Sequence, residues 1–268
     1  MSTAVNSTPT EALVKSVAEK RLVFTVTTGR TGTNLLAKAL GVSRKICSVH
    51  ESKPFTLSMR SVQVDPGLAT KVWTEEMLPE ICAQPRPIYA ESGHLVCKGY
   101  IEPLLELGLT PDLIHIRREP RQVALSYTSL DSIPGRSERG LKYLLSPEDP
   151  GVLPLEEFEQ LSDYQLNYWY CLEIERRAEA LAELVRARGG RVATLPFQEL
   201  VRFDGFQRFW GEFELPELGS FGWWRIKRVL SRKVNAKAKS KRSVQQAPPP
   251  PEELDSLERE VLERAGLA

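Results

Sequence analysis

The sequence predicts a three-layer, doubly wound α/β fold around a central, mainly parallel sheet of about five strands. Two observations predict it. Five short apolar, β-branched stretches alternate with segments of helical periodicity, which is the pattern of βαβ units. The first of them, residues 21–40 (RLVFTVTTGRTGTNLLAKAL), runs from strand through a small-residue turn into helix. In such sheets ligands bind beyond the carboxyl ends of the strands.

The elements follow in order. Residues 1–10 are polar and read as a loose arm, and 11–19 as a short helix. Residues 21–27 are apolar and β-branched, as a buried strand requires. Residues 33–40 place Leu35, Leu36, Ala39 and Leu40 at helical spacing. Residues 45–50 (KICSVH) form a second strand, which Pro54 prevents from continuing. Residues 67–82 are helical, punctuated by prolines. Residues 88–91 are a third strand closed by Ser92-Gly93-His94, and 103–107 are a short helix. DLIHIR (112–117) is the fourth strand, and Pro120 suits the first turn of a helix continuing over 122–130. Residues 129–140, rich in Ser, Gly and Arg, read as a mobile loop. Residues 155–188 form a long helix stopped by Gly189-Gly190, and RVATLP (191–196) is the fifth strand. Short aromatic helices are expected at 203–213 and 223–230, and a terminal amphipathic helix at 252–264. The division is an arm and short helix (1–20), an α/β domain (21–245), and a proline linker with a C-terminal helix packed on or extending from it (246–268).

Composition narrows the function. A chain of 268 residues with 41% hydrophobic and 26% charged residues is globular rather than disordered or fibrous. A net charge of +1 provides no global field for nucleic acid. Cys47, Cys82, Cys97 and Cys171 are scattered, without metal-ligand spacing, and point to a reducing compartment. No stretch approaches the roughly 20 apolar residues of a membrane span, and the N-terminus lacks a signal-like apolar run. A cytoplasmic protein is therefore expected. FGWWRIKRVL (221–230) is aromatic and basic and reads as an amphipathic element docked on the domain.

Residues 27–33 (TTGRTGT) carry the chemistry. The first N–H groups of a helix lack intrahelical partners, and the helix dipole favours an anion there. Glycine lets the backbone approach an oxyanion closely, and Arg30 adds a permanent cation. The stretch is a phosphate or sulfate cradle. It is not the nucleoside-triphosphate loop, which needs Gly-Lys-Ser/Thr: Thr33 stands where the lysine would be. It also lacks G-x-G-x-x-G. A second strand–helix junction, LIHIRREPRQVALSYTSL (113–130), contains Arg118, Pro120 and Ser126.

These two stretches resemble the two motifs of the sulfotransferases that use 3′-phosphoadenosine 5′-phosphosulfate (PAPS). Arg30, Thr31, Gly32, Thr33 and Asn34 match the 5′-phosphosulfate loop. Arg118, Pro120 and Ser126 match the 3′-phosphate motif in residue type and spacing. The resemblance spans residues 21–126. It implies a P-loop sulfotransferase fold and sulfuryl transfer from PAPS to a hydroxyl acceptor, leaving adenosine 3′,5′-bisphosphate, with no metal required. It implies that Thr28, Gly29, Arg30, Thr31, Gly32, Thr33 and Asn34 hold the 5′ end, and Arg118 and Ser126 the 3′-phosphate. A late basic loop in the family also grips that phosphate; Lys241 and Arg242 are the candidates here, although the Arg-Lys-Gly signature of the cytosolic members is absent.

Sulfuryl transfer, like phosphoryl transfer, needs in-line positioning and charge stabilisation. Arg30 occupies the place of the family's loop cation. The acceptor also needs a base, and Glu51 is assigned, with His50 as the alternative. Some members of the family use histidine and others glutamate. Glu91 and His94 are reserves, and His115, inside a buried strand, is read as structural. The acceptor class stays open among carbohydrate, lipid, small alcohol and tyrosine. Two other readings compete: a P-loop nucleotide kinase, and a non-catalytic nucleotide-binding module.

Overall fold

The computed structural model describes residues 9–52, 57–231 and 249–268. Helix α1 (Pro9–Ala18) leads into β1 (Arg21–Val26), which turns into α2 (Thr33–Leu40) and then β2 (Ile46–Val49). Helices α3 (Met59–Val64), α4 (Gly67–Val72) and α5 (Leu78–Ala83) precede β3 (Ile88–Glu91); a π-helical turn, Trp73–Met77, joins the last two helices. After α6 (Ile101–Glu106), β4 (Asp112–Arg117) runs into α7 (Pro120–Thr128) and α8 (Glu138–Tyr143). The long α9 (Asp163–Ala187) returns the chain to β5 (Val192–Pro196). It continues through α10 (Phe197–Leu200), α11 (Phe203–Glu212), α12 (Ser220–Ser231) and α13 (Leu254–Arg264).

The five strands form one sheet in the order β2-β3-β1-β4-β5, and every neighbouring pair is parallel. Successive side chains on a strand face opposite ways. Leu22, Phe24 and Val26 of β1 accordingly enter one core, together with Tyr89, Leu113 and the apolar face of α9. Val23 enters the other, with Ala90, Ile114, Ile116, the apolar residues of α2 and the aromatic residues of α11. Burial on both faces explains why β1 reads as a continuous apolar run. The fold is the predicted three-layer α/β architecture, and its sheet is entirely parallel among the described residues.

Two expectations are corrected. Residues 155–162 do not join the long helix. Ser162 caps α9 in a reciprocal capping box with Gln165, so the helix cannot extend backwards in register. Residues 129–140 are not simply a loop. Ile133 is buried, Ser137 caps α8, and Gly140 lies inside that helix. A Cβ on Gly140 would sit 1.7 Å from the Ile133 carbonyl oxygen, so the glycine serves close packing. Helix α12 docks through Ile226 and Trp223 while Phe221 and Trp224 stay exposed. Lys241 and Arg242 lie outside the described residues.

One buried carboxylate ties together the elements packed on one face of the sheet. Glu173 of α9 is fully buried and accepts from the Leu153 N–H at 2.9 Å, Arg176 Nε at 2.8 Å and Arg177 Nε at 2.5 Å. Arg177 also donates to Gln63 of α3, and Gln63 donates to the Lys98 carbonyl. Removing one partner of a buried ion pair strands the other. Glu173→Ala should therefore cost about 3–5 kcal/mol, seen as a lower urea midpoint at unchanged m-value. A loss under about 0.5 kcal/mol, the range of an ordinary surface substitution, would contradict this clamp.

Candidate active site

The chain leaves β1 towards β2 on one side of the sheet and leaves β4 towards β5 on the other. The carboxyl ends of β1 and β4 therefore form the topological switch point, where open α/β sheets leave a crevice. The two basic motifs lie there. Gly29, Arg30 and Gly32 have φ of 86°, 59° and 87°. This left-handed path suits glycine and strains arginine. Inside the loop the Thr27 and Thr31 hydroxyls bond at 2.5 Å. The Thr28 carbonyl accepts from the hydroxyls of Tyr127 at 2.7 Å and Tyr170 at 2.8 Å. A Cβ on Gly29 would come within 2.3 Å of the Tyr127 hydroxyl, so no larger residue fits beneath this turn.

With that carbonyl turned inward, the N–H groups of Thr31, Gly32, Thr33 and Asn34 find no acceptor among the described residues. The Asn34 Oδ1 is also buried without a partner. Four unsatisfied donors at a helix start are an anion-binding surface. The Thr31 side chain is fully buried and points into the loop, leaving its backbone N–H for a ligand.

Arg118 joins the two motifs. Its NH1 donates to the Arg30 carbonyl at 2.7 Å, and its Nε to Gln122 at 3.2 Å. Its guanidinium lies 4.8 Å from the centre of the Phe197 ring. Arg30 Nε in turn donates to the Ser126 hydroxyl at 3.1 Å. Arg30, Arg118 and Ser126 thus meet at one spot, and the Arg30 side chain reaches towards the second motif. Neither arginine has a carboxylate partner among the described residues. Burial and the neighbouring Arg30 lower the Arg118 pKa. Unneutralised cations beside free N–H groups attract an anion with charge at more than one point.

The other assigned residues line the neighbouring strand ends. The His50 Nε2 lies 3.0 Å from the Thr33 hydroxyl. Glu51 has φ of 47°, a second strained non-glycine position, and its side chain lies over Gly93. Its Oε1 is 3.7 Å from His94 Nε2. Glu91 is 2% exposed and accepts from the Tyr89 hydroxyl at 2.9 Å. His115 stands apart, 3.3 Å from Glu175 on α9. Tyr127, Tyr170, Phe197 and Lys98 were not foreseen from the sequence. Tyr127 falls on the apolar stripe of α7 with Val123 and Ala124, which is a readable signal; the other three arrive through tertiary packing.

No family model matches the chain, and no curated protein matches it. Among solved structures it is similar to a sulfotransferase domain from the curacin biosynthetic pathway. The identity is 15% and the TM-score 0.51, covering 93% of this chain and 98% of that one. At that identity the likeness concerns the fold.

Burial pushes the Glu91 carboxyl up to about 7 from an ordinary value of 4.5, although the Tyr89 hydroxyl favours ionisation. The folded protein therefore binds a proton here that the unfolded chain has lost. Stability from this group is complete below the unfolded value and is lost as pH rises through the folded one, by on the order of 3 kcal/mol. Glu91→Gln should gain stability relative to wild type by a similar amount between about pH 5 and pH 8, measured as paired urea midpoints. A constant difference across that range would rule this out.

Proposed function

We propose that the protein transfers a sulfuryl group from PAPS to a hydroxyl acceptor by in-line displacement. The observation that carries this reading is the junction at the switch point. Arg118 bonds the Arg30 carbonyl and Arg30 bonds Ser126, so the two motifs enclose one crevice. The free N–H groups of residues 31–34 and two arginines that no carboxylate neutralises among the described residues fit a ligand with a phosphosulfate at one end and a phosphate at the other.

PAPS would supply the sulfuryl group and a stable bisphosphate leaving group. The N–H groups of residues 31–34 hold the 5′ end, with Thr28 and Gly29 shaping the turn beneath it. Arg118 and Ser126 hold the 3′-phosphate by charge-assisted bonds. Arg30 stabilises the charge that builds on the departing phosphate oxygen, which requires it to exchange its bond to Ser126 for one to the ligand. Glu51 accepts the acceptor's proton, and His50 orients Thr33 at the helix start. The crevice binds the donor nucleotide; the acceptor, whether carbohydrate, lipid, small alcohol or tyrosine, enters over Glu51.

Adenosine 3′,5′-bisphosphate should raise the melting temperature, and Arg118→Ala should abolish that rise. ATP with magnesium should not reproduce it. No stabilisation by the bisphosphate at millimolar concentration would sink the reading; stabilisation by ATP with magnesium instead would favour a kinase. With labelled PAPS and an accepted hydroxyl compound, Glu51→Gln should lower kcat by about 10²–10⁴ and leave bisphosphate binding intact. Equal activity of wild type and Glu51→Gln would exclude Glu51 as the base.

A further inference from the structure

His94 and Lys98 form a pair beside the crevice that the reaction above leaves without a role. His94 follows β3, and its ring lies against the loop after β1: a Cβ on Gly29 would be 3.1 Å from its Cγ. The Lys98 Nζ is 2.8 Å from His94 Nδ1 and donates to the Tyr143 carbonyl at 2.6 Å. It also lies 5.1 Å from the centre of the Tyr170 ring. Lys98 is fully buried, yet among the described residues no carboxylate bonds it. A buried amine without a directly bonded carboxylate is costly to fold around, which singles the position out.

The pair determines where the imidazole proton sits. Two cations at this distance repel, so the pair carries at most one charge. Burial holds His94 well below its ordinary range, and Lys98, His50, Arg30 and Arg139 press it lower. Burial also brings Lys98 down, to about 7, with Arg177 acting in the same sense and Cys97 and Glu51 opposing. The amine remains the more basic partner. As an ammonium it can only donate. In that form Nδ1 accepts, so the ring's own proton is on Nε2. A neutral amine would also offer a lone pair to an Nδ1–H, so it is the ammonium, donating to Tyr143 and to His94, that fixes the tautomer.

Nε2 faces Glu51. The 3.7 Å between Nε2 and Oε1 is too long for a direct hydrogen bond, and a hydroxyl oxygen can bridge it. That oxygen would accept from Nε2–H and donate to the carboxylate. We propose that Lys98 is a positioning residue that holds His94 in the Nε2–H tautomer, so that His94 donates to the acceptor hydroxyl and Glu51 takes its proton. This deepens, and rests on, the sulfuryl-transfer reading. The acceptor proton passes to Glu51 as the acceptor oxygen bonds to sulfur and the bond from sulfur to the phosphate oxygen breaks; adenosine 3′,5′-bisphosphate leaves with that electron pair, and His94 keeps its own proton.

The test is a two-bond proton–nitrogen correlation spectrum of the protein carrying 15N-histidine at neutral pH, with His94→Gln identifying the His94 signals. Wild type should give the Nε2–H pattern, and Lys98→Met should give mixed tautomers. An Nδ1–H pattern in wild type, or an unchanged tautomer in Lys98→Met, overturns the proposal. Should Lys98→Met fail to fold, the wild-type pattern decides alone. In turnover, Lys98→Met should lower kcat about tenfold with the KM for PAPS unchanged; unchanged kcat would also overturn it. The tautomer is read in the free protein. An intact Nε2–H pattern with no binding of adenosine 3′,5′-bisphosphate would therefore reject the transferase reading and spare the assignment of the pair.

Discussion

One carbonyl sets the shape of the crevice. The Thr28 oxygen accepts two buried hydroxyls, Tyr127 from α7 and Tyr170 from α9. The two rings also meet edge to face, with centroids 5.8 Å apart. Turning that peptide over would strand both hydroxyls, at about 1–3 kcal/mol each. The loop is therefore held with its carbonyl inward and its following N–H groups outward, before any ligand arrives. Such donors need no reorganisation when charge develops near them, which is where electrostatic stabilisation gains its strength. The helices packed on the sheet thus do more than cover it.

The distribution of charge reinforces that shape. At the amino end of the sheet, Arg21 is paired with Asp112 and also bonds the carbonyls closing α11. At the carboxyl end, Arg30 and Arg118 have only neutral partners among the described residues, and Arg30 adds to burial in lowering the Arg118 pKa. One end of the sheet is electrostatically satisfied and the other is not. Arg30 and Glu51 also adopt left-handed backbone conformations that cost a non-glycine residue roughly 1–2 kcal/mol. The two residues assigned to charge stabilisation and proton transfer are among the strained ones, and strain of this kind collects at working sites.

Much of the fold was legible because its strands are buried on both faces, so that RLVFTV and DLIHIR stand out without alternation. The third and fourth strands match their expected limits. The start of α9 was misread because Leu155, Phe158 and Leu161 continue its apolar spacing, while the stop signal is the single cap at Ser162. Helix α8 was missed because Gly140 reads as a loop residue until the Ile133 backbone is seen against it. In the site, Arg30, Arg118 and Ser126 could be named from two motifs, but periodicity alone could not bring Ser126 to Arg30. The Thr28 clamp depends on contacts between distant segments and leaves no local trace; His94 and Lys98 are only four residues apart, but their burial and the Tyr143 carbonyl that holds the amine come from the tertiary fold.

The last helix bears on inheritance. Arg121, three residues beyond Arg118, is gripped by Glu258 and Asp255 of α13, and Glu258 also bonds Tyr164 at 2.5 Å. The first turn of α7 is thus anchored from the far end of the chain. A change at 121, 164 or 258 alone leaves a partner of this cluster unsatisfied beside the first turn of α7. Drift at these positions is therefore coupled, and related chains should exchange them as a set. A fusion that displaces the C-terminal helix would disturb the crevice without altering any residue that lines it.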